Sequence, residues 1–462
     1  MSGSAHDGAH GAVAAAGGSA RRVLLLLSQL PHDPTSGAAL TMLALSRLLA
    51  RAGMNVRAIA TSAIEGAAPL ALLPLLAGRG IRAEVDRRAA VGKGRPVVRF
   101  RDEGGAHGGA GSVHCTILDV GKVALKDWEF LHGAQFNRLV MNELESFSPD
   151  VVLTFGGQPA EQSRRYMCRA AGAAVVFAVS NLSYLHPLAF EHVDAVLTPS
   201  CFMRDLYARE IGLRSTAIAP PIELSEALVE PGRHEARYCT FVNPTPPKGL
   251  FFFVTLAEVL GRTRPDIPLQ VIEGRGTREH LFKAAALGGF DLSRHPNLRV
   301  VGTRARSREV YADARVMLVP SVWTEAFGRI AVEAMHNGVP AIVSGRGGLA
   351  EAVGGQARGG EVDGAESGAG EAAGGLIVPI PRGITPSTMQ PVTRDAVREW
   401  VEAIVRLHDD PEHYRAVSAR ARAYAEAHHA PEAIERQYVE FFRAVRAGGG
   451  APVAGAARPA GA

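Results

Sequence analysis

Short apolar segments alternate with amphipathic segments of helical period along most of this 462-residue chain, and this alternation restricts the fold to one broad class. The first half opens with RVLLLLSQL, a predicted strand, and continues with SGAALTMLALSRLLARAG, in which leucines recur at helical spacing. Alternating strands and helices form parallel sheets with right-handed crossovers. The second half repeats the scheme from RYCTFVN to GLIVPI. We therefore predict an α/β fold with two doubly wound, Rossmann-like domains that face a cleft.

The alternation also predicts where the domains begin and end. The stretch PPIELSEALVEPGRHEA separates the two halves and is typical of a linker. Residues 94–118 break the alternation with two apolar runs around a Gly-rich turn, which predicts an inserted hairpin. Helical segments follow the second half, and we expect them to pack across both domains. In chain order, the predicted parts are a disordered tail (1–20), the N-terminal domain (21–222), the linker (223–236), the C-terminal domain (237–390) with a flexible insert (354–375), the C-terminal helices (391–446) and a second disordered tail (447–462).

The charge balance of the chain argues against nucleic acid as a partner. The chain has 50 basic and 46 acidic residues, and this net charge of +4 is too small an excess for a nucleic-acid-binding surface. It is compatible with a mildly basic patch toward an anionic ligand or a membrane. In the helix predicted at 38–52, Arg47 and Arg51 allow a peripheral contact with the inner membrane surface, but a solvated helix face explains them better.

Two further features of the sequence predict a cytoplasmic protein. The apolar run after Arg21 and Arg22 ends too early for an export signal, and no run of apolar residues is long enough to span a membrane. The cysteines are too scattered for zinc-knuckle or Cys-x-x-Cys spacing, which indicates reduced and mostly buried thiols. They are Cys115, Cys168, Cys201 and Cys239.

The densest group of candidate site residues lies in WTEAFGRIAVEAMHNGVP, residues 323–340. Glu325 follows a predicted strand, and Glu333 comes about two helical turns later, so both carboxylates face a similar side. Phe327 and Gly328 open the helix, where unpaired N–H groups and the helix dipole favour anions. We predict that Glu325 and these amides hold a sugar and that Glu333 binds a ribose diol. The alternative is two solvent-facing glutamates, which the flanking strand and the Asn-Gly-Val-Pro turn disfavour.

With these residues in this order, the chain resembles glycosyltransferase family 4, the retaining group 1 glycosyltransferases of GT-B fold. The resemblance covers residues 22–445 in layout and is most specific between 238 and 380. It implies transfer of a sugar from a nucleotide-diphosphate donor, most often a UDP- or GDP-sugar, with no metal and no other cofactor. The matching residues are Pro320, Ser321, Glu325, Phe327, Gly328, Glu333, Ala334, Gly338, Pro340, Gly347 and Gly348.

A second candidate group lies in FVNPTPPKGLFFFV. Lys248 stands there between a strand and a helix N-terminus, a place that suits a diphosphate. The family carries a cation in this loop, and many members have Gly-Arg-Leu before the Lys-Gly pair. Here residues 243–245 are Asn-Pro-Thr, so that arginine is missing, and Arg275 after the next strand is the candidate substitute. A surface lysine and a surface arginine are the structural alternatives.

Two turns complete the predicted donor site. Gly347 and Gly348 open a short helix after a strand, where we predict that their amides reach the diphosphate. Gly37 leads into the first long helix, where the backbone can approach the sugar phosphate from the other domain. The spacing around Gly37 is not G-x-G-x-x-G, which argues against a nicotinamide enzyme.

The N-terminal half departs from the family pattern and leaves the acceptor open. The strand DVVLTFGGQP holds Gly156 and Gly157 where many members carry a histidine near the reacting carbon. His186, after the next strand, is interpreted as structural or solvent-facing rather than as an acceptor contact. A glycan, a lipid-linked molecule and a small molecule all fit as acceptors. The alternatives for function are a non-catalytic nucleotide-sugar-binding protein and another GT-B enzyme, such as a nucleotide-sugar epimerase or a phosphorylase.

Overall fold

The computed structural model describes residues 21–64, 71–88, 94–104, 111–121, 123, 127–304, 306–355 and 370–448. The predicted N-terminal tail, nearly all of the predicted C-terminal tail and most of the predicted insert at 354–375 lie outside these residues, as does the turn of the predicted hairpin.

Two separate β-sheets form the framework of the described residues. The strands are β1 (Arg22–Leu26), β2 (Asn55–Thr61), β3 (Ala83–Asp86), β4 (Val97–Asp102), β5 (Val113–Leu118), β6 (Val151–Thr154), β7 (Ala174–Ala178), β8 (Ala195–Thr198), β9 (Thr216–Ala217), β10 (Tyr238–Val242), β11 (Leu269–Ile272), β12 (Leu298–Val301), β13 (Ala314–Val319), β14 (Ala341–Val343), β15 (Gly370–Glu371) and β16 (Leu376–Ile377).

Helices cover both faces of each sheet and join its strands. They are α1 (Gly37–Arg51), α2 (Leu72–Gly78), α3 (Trp128–Phe147), α4 (Pro159–Ala170), α5 (Cys201–Ile211), α6 (Leu224–Ala227), α7 (Leu250–Thr263), α8 (Arg278–Leu287), α9 (Arg308–Tyr311), α10 (Arg329–His336), α11 (Gly348–Ala352), α12 (Arg398–Asp409), α13 (Pro411–His428) and α14 (Pro431–Ala444). The strands β6 and β7 are buried along almost their whole length, as parallel strands covered on both faces must be.

The first sheet has the strand order β3-β4-β5-β2-β1-β6-β7-β8-β9, and the second has the order β12-β11-β10-β13-β14-β16-β15. Neighbouring strands are parallel except for β3, β4 and β5 at one edge of the first sheet and β15 with β16 at one edge of the second. This confirms the α/β architecture with two Rossmann-like domains. The domain limits themselves stay predictions.

The predicted hairpin at 94–118 is part of the first sheet rather than a separate insertion. Its strands β4 and β5 pair with each other in antiparallel fashion, and β5 also pairs in parallel with β2. A further edge strand, β3, pairs with β4 and was not predicted. Its sequence AEVD is mostly half-buried and lacks the apolar run that marks the other strands.

The last three helices connect the two halves of the molecule, as predicted. Trp400 of α12 is fully buried, and its indole N–H donates to the Val378 carbonyl at 3.0 Å in the second half. The helix α14 instead returns to the first half, where Ile434, Tyr438 and Phe442 join the core of the first sheet. The hydroxyl of Tyr438 donates to the carbonyl of Ile218 at 3.3 Å.

The interpretation of Arg47 as part of a solvated helix face is wrong. Arg47 is only 8% exposed, and its guanidinium donates to both carboxylate oxygens of Asp102 at 3.0 and 3.1 Å. The imidazole of His32 contacts the same carboxylate at 2.6 Å. Burial alone would raise the pKa of Asp102, but these two partners hold it well below its usual value. The cluster ties the strand β4 to α1, and Arg51 pairs with Glu223 at 2.8 Å.

The fold also bears on the expectations for the cysteines and for membrane-spanning segments. Cys115, Cys168 and Cys239 are buried free thiols and Cys201 is an exposed one, so the expectation of mostly buried thiols is confirmed. Among the described residues, no helix is both long enough and apolar enough to cross a bilayer.

Candidate functional site

A cleft of about 1320 Å³ lies between the two sheets, at the carboxyl ends of their strands. Loops after β1, β6 and β7 form one wall, and loops after β10, β11 and β13 form the other. Open α/β sheets bind their ligands at this edge because the loops there can vary without disturbing the sheet. The cleft brings together seven residues predicted from the sequence: Gly37, Lys248, Arg275, Glu325, Phe327, Gly328 and Glu333.

The centre of the C-terminal wall is an ion pair between Lys248 and Glu325. The ammonium of Lys248 donates to Glu325 Oε1 at 2.6 Å, and the Ser321 hydroxyl donates to the same oxygen at 2.5 Å. Burial would raise the pKa of Glu325, but the Lys248 ammonium and the hydroxyl hydrogen bond outweigh it and lower the pKa. The carboxylate is therefore ionised at neutral pH and lies beside a cation that is still 34% exposed.

A glycine places Lys248 in this position. Gly249 has a φ of +91°, and a Cβ there would lie 2.0 Å from the Pro320 carbonyl oxygen. Only glycine allows this left-handed conformation and this close approach. The N–H of Val322 also donates to the Pro247 carbonyl at 3.0 Å, so the loop with the lysine and the loop with Glu325 are held together.

The helix α10 begins where the sequence predicted, and its first turn borders the cleft. Gly328 precedes the helix with a φ of +142°, and a Cβ there would lie 2.5 Å from a Leu349 methyl group. Phe327 borders the cleft but is only 6% exposed, with its ring 5.7 Å from that of His429. The phenyl ring therefore anchors the loop in the core, and the backbone at the helix start is the part that faces a ligand.

Glu333 lies on α10 with a protein donor at each carboxylate oxygen. It is 3% exposed, accepts a hydrogen bond from the Tyr311 hydroxyl at 2.9 Å, and pairs with Arg329 at 2.6 Å. Burial and the neighbouring carboxylate raise the pKa of Tyr311 well above its usual value, so its hydroxyl stays a donor. Arg329 also reaches the opposite wall, where it lies 3.4 Å from the Thr41 hydroxyl. Arg329 was not predicted from the sequence.

The stretch that replaces the family's Gly-Arg-Leu has a clear structural role. Asn243 has a φ of +61°, a left-handed conformation that asparagine tolerates better than most residues. Its side-chain oxygen accepts the N–H of Gly276 at 2.8 Å. This bond holds the loop after β11, and Arg275 of that loop borders the cleft.

The predicted glycines differ in where they lie. Gly37 borders the cleft at the start of α1, and a Cβ there would meet nothing within 4 Å, so a ligand can approach closely. Gly347 and Gly348 lie behind Glu325 and do not border the cleft. The N–H of Gly348 donates to the Glu325 carbonyl at 2.8 Å, and a Cβ on Gly347 would lie 2.4 Å from the same oxygen. Their predicted role at a diphosphate stays a prediction.

The loop that carries Glu325 is also attached to the N-terminal half. The Ser200 hydroxyl donates to the Ala326 carbonyl at 2.7 Å. Beside it, the carboxylate of Glu351 accepts the N–H groups of Cys201 and Phe202 at 2.9 and 3.0 Å. The two walls of the cleft are thus joined at one end by short hydrogen bonds.

Apart from Gly37, the N-terminal wall consists of residues that the sequence did not reveal as a site. Polar residues follow the ends of β1, β6 and β7 and meet only in the folded chain. Such residues at successive strand ends are the signal that could have found them. His186 is not among the residues that border the cleft. The described polar residues of this wall that do are Ser28, Gln29, Thr35, Ser36, Thr41, Glu129, Gln158, Glu161, Ser180, Asn181, Ser183 and Tyr184.

Two protein families match parts of the chain, and both consist of glycosyltransferases. Residues 233–364 match the family Glycosyl transferases group 1, and residues 300–436 match Family 4 Glycosyltransferase in conflict systems. No curated protein sequence matches the chain.

Solved structures resemble the chain over nearly its whole length. Sucrose-phosphate synthase from Thermosynechococcus elongatus aligns with a TM-score of 0.62 and 17% identity, over 92% of this chain and 98% of that chain. HepE of Anabaena, in complex with UDP and glucose, aligns with a TM-score of 0.60 and 16% identity, over 92% of this chain and 100% of that chain. The catalytic domain of starch synthase IV from Arabidopsis thaliana, bound to ADP and acarbose, aligns with a TM-score of 0.56 and 13% identity. That alignment covers 91% of this chain and 100% of that chain. At these identities the likeness establishes the fold.

Proposed function

We propose that this chain, which has a GT-B fold and matches group 1 and family 4 glycosyltransferases over parts of its second half, moves a sugar from a nucleoside-diphosphate donor to an acceptor with retention of configuration. The observation that carries the proposal is the ion pair of Lys248 and Glu325 beside the first turn of α10. A cation, a carboxylate and the start of helix α10 there face one cleft, which suits a sugar joined to a diphosphate.

The proposed chemistry depends on the leaving diphosphate. As the bond between the sugar and the diphosphate breaks, negative charge grows on the phosphate oxygens and positive charge grows on the sugar ring. Lys248 and the α10 amides stabilise the phosphate, and Glu325 orients sugar hydroxyls and stabilises the ring. The acceptor oxygen attacks from the face that the diphosphate leaves, and a phosphate oxygen takes its proton. No metal ion is required by this arrangement.

The donor is proposed to be a UDP- or GDP-sugar. HepE, which shares the fold, is described in complex with UDP and with UDP-glucose, which favours uridine. We assign the ribose to Glu333 and the diphosphate to Lys248, with Arg275 and the α1 start at Gly37 as further contacts.

Thermal unfolding against the diphosphates of uridine, guanosine, adenosine and cytidine tests the proposal. One of them is expected to raise the unfolding temperature, because a ligand at 100 times its Kd stabilises the native state by about 2.7 kcal/mol. The nucleoside without phosphates is the control and is expected to give a much smaller shift. The absence of a shift with every diphosphate would contradict the proposed function.

Replacement of Glu333 by alanine is expected to weaken nucleoside-diphosphate binding by about 1–3 kcal/mol, because the ribose hydroxyls and the Tyr311 hydroxyl lose their buried acceptor. Calorimetric titration measures this loss. Affinity for inorganic pyrophosphate, which has no ribose, is expected to stay unchanged. Glu309→Ala, on the exposed side of α9, is the matched control. Equal losses for nucleotide and pyrophosphate would remove Glu333 from the ribose site.

A further inference from the structure

We propose that the acceptor is an uncharged, hydroxyl-rich group, a sugar without phosphate, and that Glu161 on the N-terminal wall hydrogen-bonds it. This inference rests on the proposed function and specifies the chemical class of the acceptor. It comes from three observations on the N-terminal wall: the position of the Glu161 carboxylate, the chemistry of the residues around it, and the partners of the nearby cations and helix ends.

The Glu161 carboxylate takes the space that a side chain at position 156 would fill. Gly156 has a φ of +110°, and a Cβ there would lie 2.1 Å from Glu161 Oε2. The same oxygen accepts the N–H of Gln158 at 3.0 Å, which fixes the carboxylate at the start of α4. Glu161 borders the cleft, and burial raises its pKa. The N-terminal wall therefore presents a carboxylate beside Gly156, at the strand end where many members of the resembled family carry a histidine.

The groups around Glu161 are those that bind sugars. Hydroxyl and amide side chains dominate this wall, and Glu129 supplies its second carboxylate. Among the described residues that border the cleft on this side, none is a lysine or an arginine. Carboxylates and neutral amides accept and donate hydrogen bonds to sugar hydroxyls, whereas a phosphate needs cations or free N–H donors when it leaves water.

Two arginines stand behind the wall, and their N–H groups donate to acceptors of the protein. Arg164 and Arg165 are each 1% exposed. Arg164 donates to the Glu129 carboxylate at 2.5 and 2.7 Å and to Asn137 at 2.8 Å. Arg165 donates to three backbone carbonyl groups, that of Gly156 among them at 2.8 Å. These N–H groups therefore serve protein acceptors rather than a phosphate.

The helix N-termini of the N-terminal wall also disfavour a phosphorylated acceptor. At the start of α4, Glu161 accepts the N–H of Gln158, and Pro159 has no N–H to offer. At the start of α5, the Glu351 carboxylate accepts the N–H groups of Cys201 and Phe202. The start of α1 at Gly37 borders the cleft, and the proposed function assigns it to the donor phosphates. A phosphorylated acceptor would thus face two carboxylates with no lysine or arginine beside them among the described residues of this wall.

Matched pairs of sugars test this inference on the full chain saturated with its nucleoside diphosphate. Glucose, galactose and fructose are each compared with their 6-phosphates by calorimetric titration. At least one neutral sugar is expected to bind, and to bind at least tenfold more tightly than its phosphate. Glu161→Gln keeps an oxygen for the Gln158 N–H, so it is expected to fold. It should weaken neutral-sugar binding at least fivefold and leave nucleotide affinity unchanged.

Each outcome separates the inference from the proposed function. A chain that binds no nucleoside diphosphate contradicts the proposed function before any acceptor is added. Nucleotide binding combined with equal or tighter binding of the phosphorylated sugars overturns the inference, as does the absence of binding by every neutral sugar. Unchanged neutral-sugar affinity in Glu161→Gln removes Glu161 from the acceptor site. The control is Glu145→Gln, an exposed carboxylate on α3 that should alter none of these affinities.

Discussion

Replacement of Lys248 by alanine is expected to lower the rate of sugar transfer by roughly 10²- to 10³-fold, which corresponds to about 3–4 kcal/mol of transition-state stabilisation. The reason is the charge that develops on the departing diphosphate. Lys248 is fixed at 2.6 Å from Glu325 and keeps a third of its side chain open to the cleft, so it meets that charge without rearranging. The initial rate of donor consumption at saturating donor measures the loss.

A matched lysine pair supplies the control. Lys283 and Glu279 form an ion pair at the same 2.6 Å on the surface of α8, with both side chains more than 70% exposed. Exposed pairs contribute at most about 1 kcal/mol, so Lys283→Ala should leave the rate and the unfolding temperature nearly unchanged. A Lys248→Ala variant that retains more than a third of the wild-type rate would show that the leaving group is stabilised elsewhere.

The architecture could be predicted because its signal is local. Each central strand is a short run of apolar residues followed by turn residues, and burial on both faces of a parallel sheet imposes that pattern. The edge strand β3 was missed because a half-buried edge needs no apolar run. The environment of Arg47 was missed for another reason. Its partner Asp102 is 55 residues away in the sequence, and no local spacing reports such a pairing.

The two walls of the cleft were predicted with very different success. On the C-terminal wall, Glu325 and Glu333 lie in one segment whose strand, loop and helix have clear signals, and Lys248 stands at another such junction. The N-terminal wall is built from residues at three strand ends, each an ordinary polar residue in its own loop. Glu161 is significant only because the folded chain places it over Gly156.

Arg329 shows that some information in the sequence was not used. It precedes Glu333 by four residues, a spacing at which oppositely charged side chains meet on one helix face. The structure confirms that meeting and adds a contact to Thr41 across the cleft. Sequence spacing alone gives the first contact, and only the packing of the two halves gives the second.

Replacement of Glu325 by glutamine is expected to lower the transfer rate by roughly 10²-fold while nucleoside-diphosphate affinity changes less than threefold. The amide keeps the size and the hydrogen bond from Ser321 but removes the charge that stabilises the sugar ring. Nucleotide affinity persists because Lys248, freed from its partner, still meets the diphosphate. Single-turnover rates and calorimetric titration measure the two quantities separately.

The double variant shows whether Lys248 and Glu325 act as one unit. Groups that serve the same transition state lose little more together than either loses alone, so Lys248→Ala with Glu325→Gln should fall well short of the product of the two single losses. Glu279→Gln on the surface pair is the control and should keep the full rate. If Glu325→Gln abolished nucleotide binding as well as transfer, the carboxylate would belong to the structure of the donor site rather than to its chemistry. The ion pair with Lys248 would then serve to hold the loop, together with the hydrogen bond from the Gly348 N–H to the Glu325 backbone carbonyl.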